Sequence, residues 1–208
     1  VSDEPATPLT PFSQKDNSMT VSPELRTLPT IPSRPPLAPV PATPAVGAPR
    51  AGSPDLLRSV FRQHAAGVAV ITAHGDRPVG FTATSLNSVS AEPPLISFGV
   101  GTGSSSWPVI AEAEHIGVHV LGEHQEQLAA TFARSGADRF AAPTRWNRGP
   151  EGVPVLEGVL AWLVCRVVAR VPAGDHRIVI AEAVAGDPDG AGRPLLYHQG
   201  RFNALRDR

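Results

Sequence analysis

The sequence predicts a mainly β fold, a closed or nearly closed antiparallel barrel with a few short helices. Three observations predict it. Short β-branched, apolar runs recur from residue 67 to residue 184, with turn residues between them. Helical patterns do not alternate regularly with these runs, which disfavours a doubly wound parallel sheet. A long apolar run over 159–171 meets another over 177–184 across Pro172-Ala173-Gly174-Asp175, as a hairpin requires. Closure of such a sheet also removes exposed strand edges.

Residues 1–53 read as a disordered, Pro-rich tail. Prolines recur at 29, 32, 35, 36, 39, 41, 44 and 49 among Ser, Thr and Ala, and too few large apolar residues stand there to offset ordering entropy. The folded domain is expected over 54–208. It opens with a short amphipathic helix over 54–64, where Leu56, Leu57, Val60 and Phe61 recur at helical spacing behind Asp55. Strands are predicted over 67–72 and 79–84, joined by the turn His74 to Pro78. A third strand over 95–100 follows the break at Pro93-Pro94. A short helix over 106–114 precedes a strand in which Ile116, Val118 and Val120 alternate with Gly117 and His119. A helix over 123–134 carries Leu128 and Phe132 on one face. The long hairpin comes next, and a last short strand is predicted over 195–197.

Composition narrows the function. With 208 residues and a formal net charge of -1, the chain suits one domain plus an appendage and shows no basic excess for nucleic acid. Its one cysteine, Cys165, permits no internal disulfide, which fits a reducing cytoplasm. No stretch approaches the roughly 18–20 apolar residues of a membrane span. The only lysine is Lys15, in the tail. The folded part therefore offers neither a Schiff-base lysine nor a Walker A lysine. Any phosphate there must be held by arginine, hydroxyls or backbone N–H groups.

Several motifs are candidates for chemistry. The run Gly99-Val100-Gly101-Thr102-Gly103-Ser104-Ser105-Ser106 follows a strand and precedes a helix, but Ser104 stands where a dinucleotide fingerprint needs its third glycine. The serines can hold a phosphate or simply cap the helix. His115 and His119 are spaced like a helical metal pair but fall on a strand, so no metal site is expected. Cys165, inside an apolar strand, reads as an inert buried thiol. Residues 81–90 are rich in small hydroxyl side chains, which let a flat ring approach the backbone. The Gly174-Asp175-His176 tip carries either a solvent-facing histidine or one that meets a ligand.

In order, the segments FRQHAAGVAVIT, PVGFTATSLNSVSAEPPLISFGV, SSSWPVI, IGVHVL, QLAATFA, GVPVLEGVLAWLVCRV, GDH and PLLYHQGRF resemble the flavin reductase-like, FMN-binding split-barrel family, from about residue 56 to residue 205. That family includes the reductase components of two-component flavin monooxygenases. The resemblance implies a split barrel that moves a hydride from NADH, with NADPH possible, to FAD or FMN for a partner monooxygenase. It implies a homodimer, without nucleic acid or membrane partners. The alternatives are a flavin-retaining oxidoreductase and a non-catalytic flavin-binding module. Thr82, Ala83, Thr84, Ser85, Leu86, Ser88 and Val89 match the segment along the isoalloxazine ring. Ser104, Ser105 and Ser106 match the loop at the flavin phosphate. His176 matches the histidine near the nicotinamide, and Arg201 and Phe202 match the C-terminal stretch that closes the nucleotide site. The phosphate loop carries no basic residue of its own, which predicts weak flavin binding.

Overall fold

A computed structural model describes residues 49–205. The predicted tail lies outside the described residues except for its last five positions. Ser53 caps the first helix, α1 (Pro54–Phe61), its Oγ accepting the Leu56 N–H at 3.1 Å, with Pro54 in the first turn. The helix is shorter than predicted because the N–H groups of Gln63 and His64 bond the carbonyls of Val60 and Phe61, three residues back, which tightens and ends it.

The strands that follow are β1 (Ala66–Gly67), β2 (Ala69–His74), β3 (Pro78–Ala83), β4 (Asn87–Ser90) and β5 (Leu95–Gly101). After α2 (Trp107–Glu112) come β6 (His115–Val120) and α3 (Glu126–Ala133). The chain ends with β7 (Trp146–Arg148), β8 (Pro154–Leu156), β9 (Ala161–Ala173), β10 (His176–Asp187), β11 (Leu195–His198) and β12 (Arg201–Ala204). Seven strands form one antiparallel sheet in the order β3-β2-β6-β9-β10-β5-β4. In a flat sheet β3 and β5 would stand roughly 24 Å apart at ordinary strand spacing. Yet Phe81 of β3 and Phe98 of β5 meet with ring centroids 6.1 Å apart. The sheet is therefore rolled into a barrel, and its unpaired edges, β3 and β4, border a seam. The predicted β-rich barrel is what forms.

The core follows from the strand period. Ile71, Ala73, Phe98, Ile116, Val118, Cys165, Val179 and Ala181 fill the barrel. Val68 and Val70 point the other way, into a second cluster with Ala129 and Phe132 of α3, Leu156 and Leu195. Thus β2 is buried on both faces, and each large side chain there contributes about 1.5–3 kcal/mol of burial. Gly80 permits α3 to lie on β3, since a Cβ there would stand 2.8 Å from the Phe132 ring and 2.8 Å from the Ile71 carbonyl.

The long hairpin turns in two residues rather than four. His176 pairs with Ala173 and Arg177 with Pro172, so only Gly174 and Asp175 form the turn, with Gly174 at φ +60. Three features went unpredicted: β4, the β7–β8 hairpin, and β12, which pairs with β11 beside β1.

Candidate active site

The seam gathers most of the residues singled out from sequence. As an edge strand, β3 bonds β2 on one side and leaves its other backbone edge open. Its side chains are spoken for. The Thr82 hydroxyl donates to the Ala129 carbonyl at 2.6 Å, tying β3 to α3, and Ala83 is buried in the barrel. Thr84 and Ser85 emerge exposed from its end. The Gly99 N–H, beyond the reach of β4, donates to Ser85 Oγ at 2.9 Å. Asn87 Nδ2 fixes the turn by donating to the Ser85 carbonyl at 2.9 Å. Leu86 packs against the barrel core, while Ser88 and Val89 stand exposed on β4.

One end of the seam is a polar cleft of about 480 Å³, lined by Arg77, Gly80, Ser105, Ser106, Asp138 and Arg139 among others. Ser106 occupies the N-cap of α2 without capping it. Its buried hydroxyl instead donates to the Gly80 carbonyl on the open edge of β3, at 2.9 Å. Ser104 Oγ accepts the Ser106 N–H at 3.3 Å and shapes the loop. Arg139, 33 positions along the chain, closes the cleft from the loop after α3. Its Nη1 donates to Ser105 Oγ and Ser106 Oγ, each at 3.2 Å, and its Nη2 to the Arg134 carbonyl at 2.8 Å. Burial pushes the guanidinium pKa downward, and Nε is buried with no partner. A buried N–H donor without an acceptor, beside two serine hydroxyls and a second arginine, fits a phosphate monoester. The loop itself carries no basic residue, as its sequence shows, but Arg139 reaches it from another loop.

At the hairpin tip, Thr102 ties the glycine- and serine-rich loop to Asp175 through its N–H, at 2.9 Å, and its hydroxyl, at 3.0 Å, both to the Asp175 carbonyl. His176 Nδ1 lies 2.7 Å from Asp175 Oδ1. The hydrogen bond from His176 and its charge hold the Asp175 carboxyl below the usual range. The pair orients the ring so that its Nε2 edge lies over Gly101. The histidine is half exposed and available to a ligand.

The remaining candidates lie elsewhere. Arg201 is exposed on β12, and Phe202 stands edge-on to Tyr197 with centroids 5.5 Å apart, joined to the second core cluster. Neither lines the cleft, although Tyr197, Gln199 and Gly200 of the same hairpin line another one nearby. His119 is fully buried, with Nδ1 3.0 Å from the Val70 carbonyl. Burial pushes the Cys165 thiol up to about 12, which makes it inert. Arg77 and Arg139 were missed from sequence because neither lies in a motif. Their signal was indirect: with the only lysine in the tail, arginine is the one strong side-chain cation the folded part can bring to a phosphate.

A barrel with an open seam, an arginine- and serine-lined cleft at one end and a carboxylate-paired histidine at the hairpin tip is an arrangement suited to a phosphate-bearing ligand. The chain belongs to the flavin reductase-like domain family, whose model matches residues 61–206. It is 45% identical over 150 residues to an NADH:FMN oxidoreductase of Rhodococcus qingshengii, covering 70% of this chain and 78% of that protein. It is 38% identical over 146 residues to the reductase component of a 4-nitrophenol 4-monooxygenase/4-nitrocatechol 2-monooxygenase of Rhodococcus opacus, covering 70% and 77%. An NADH:FAD oxidoreductase of Streptomyces globisporus, solved with NAD and FAD fragments, superposes with a TM-score of 0.69 at 34% identity, covering 72% of this chain and 91% of that one.

Proposed function

We propose that this protein is an NAD(P)H-dependent flavin reductase that reduces FMN or FAD with NADH and releases the reduced flavin to a partner monooxygenase. The observation that carries this reading is the Arg139 guanidinium, whose Nη1 donates to two serine hydroxyls at one end of an open strand edge while its buried Nε has no partner. A flavin phosphate satisfies that donor, while the open backbone of β3 addresses ring heteroatoms. When both are bound, the nicotinamide supplies a hydride and the flavin accepts it. The protein's part is orientation. Thr84 and Ser85 border the ring, and Asp175 fixes His176, whose Nε2 then meets the nicotinamide carboxamide. A near-attack arrangement of stacked rings accounts for much of the rate. The backbone N–H groups of the seam stabilise the charge gained near the reduced ring.

The same reading makes the protein a cytoplasmic homodimer. Val171 and Ile178 oppose each other in register and are both exposed, an apolar outer face of the β9–β10 hairpin that a second copy would cover. Among the described residues no helix is long and apolar enough to cross a membrane.

The decisive experiment is NADH oxidation by the purified protein with no flavin, with FMN and with FAD. Oxidation that requires added flavin is the expected result. Oxidation by a yellow protein without added flavin would replace this reading with a flavin-retaining oxidoreductase. Flavin binding without oxidation of NADH or NADPH would leave only a binding module.

A further inference from the structure

The β5–β10 ladder ends at the pair Gly101 and His176. One residue further, both donors of Thr102 go to a single acceptor. Its N–H, at 2.9 Å, and its hydroxyl, at 3.0 Å, donate to the Asp175 carbonyl, whose oxygen has a lone pair for each. Both residues are exposed and neither joins a core cluster, so the two bonds fasten the tip to the loop without filling any interior. Arg177 makes a second tie. Its Nη1 donates to the His176 carbonyl at 2.9 Å, and its guanidinium carbon stands 6.0 Å from the centroid of the Trp107 ring, within cation–π range. Trp107 opens α2 and packs against the barrel core. His176 therefore lies between two ties to one segment, residues 102–107.

That segment is bonded step by step. The Ser104 N–H donates to the Gly101 carbonyl and the Trp107 N–H to the Ser104 carbonyl, each at 3.0 Å. Ser106 is held in turn by the Gly80 carbonyl and by Arg139. A change of position at the serines thus reaches Asp175 through a few short links. The tip has little else to steady it: a Cβ on Gly174 would meet nothing within 4 Å.

A phosphate that engages Arg139 Nε and the serine hydroxyls fixes this segment, and with it the place of His176. A segment already ordered by one ligand needs no further ordering when the second arrives, so the second binds more tightly. We infer that Thr102 is a positioning residue that couples the serine-lined cleft to His176, with Arg177 as a second tie, so that the phosphate of the flavin strengthens capture of the nicotinamide nucleotide; the inference rests on the reductase reading above. By linkage the nicotinamide nucleotide tightens FMN by the same factor. FMN and riboflavin share one ring system and differ in the phosphate alone, so comparing them separates this coupling from direct contact between the rings.

The test titrates NAD, which does not react with oxidised flavin, calorimetrically into the full chain saturated with FMN or with riboflavin. In the unaltered protein the Kd for NAD should be about fivefold lower with FMN. Thr102→Val, which removes the hydroxyl and keeps the shape, should abolish that difference. Thr102→Ser should keep it and Arg177→Met should reduce it, with thermal melts to check folding. In turnover with saturating FMN, Thr102→Val should raise the KM for NADH by about the same factor and leave kcat nearly unchanged; with riboflavin the KM should not move. Equal NAD affinity with FMN and riboflavin in the unaltered protein would overturn the inference, however the variants fold. Equal weakening of NAD with both flavins in Thr102→Val, or a fall in kcat alone, would overturn it too. If the unaltered protein oxidised no NADH, yet FMN tightened NAD binding through Thr102, the reductase reading would fall while the coupling stood.

Discussion

The proposed function gives two residues different tasks. On the proposed reading Arg139 holds the flavin phosphate, and a hydrogen bond to a charged group is worth roughly 1.5–3 kcal/mol. Arg139→Ala should therefore weaken FMN binding about 10- to 100-fold in a fluorescence titration, yet leave riboflavin, which has no phosphate, nearly unaffected. The same reading has His176 orient the nicotinamide without serving as an obligatory acid or base. His176→Ala should mainly raise the KM for NADH; an unchanged KM with abolished turnover would contradict that role. Only one of the two was legible in the sequence. His176 sits in a three-residue motif at a hairpin tip, where position suggests function. Arg139 becomes visible only when the chain folds back 33 positions to reach Ser106.

At the scale of elements, long apolar runs were readable because alternation maps directly onto the two faces of a strand. Thus β2, β5, β6 and the β9–β10 hairpin were foreseen. The strand β4 was not, because Asn87-Ser88-Val89-Ser90 is polar and pairs along one edge only. The short β7 and β8 have three residues each, and their formation depends on tertiary anchoring, such as the buried Thr72 hydroxyl donating to the Pro154 carbonyl at 2.7 Å. The side chains of the 82–86 segment also divided by strand parity. Thr82 serves α3 and Ala83 the barrel, which leaves the backbone and Ser85 to border the seam. The fit of α3 on β3 is itself testable. Gly80→Ala puts a methyl group against the Phe132 ring and the Ile71 carbonyl, and should cost about 1–3 kcal/mol in a denaturant melt.

For the molecule as a whole, pH acts through His119. Burial lowers its pKa from 6.5 to about 4, opposed by its bond to the Val70 carbonyl. Between those values the unfolded chain binds a proton that the native state refuses. Stability is then full above pH 6.5 and falls as the pH drops toward 4, by at most about 3 kcal/mol. Melting temperatures measured from pH 7 to 4.5 should decline, and His119→Gln should flatten that decline. The open seam has a different cost. Two unpaired strand edges are a template on which a strand of another molecule can add, the first step of aggregation. On the proposed reading, a flavin lying along the seam would also shield β3 from its own kind. The flavin-free protein should then aggregate faster in a light-scattering time course than the protein saturated with FMN, which would make the substrate a determinant of the protein's lifetime as well as of its turnover.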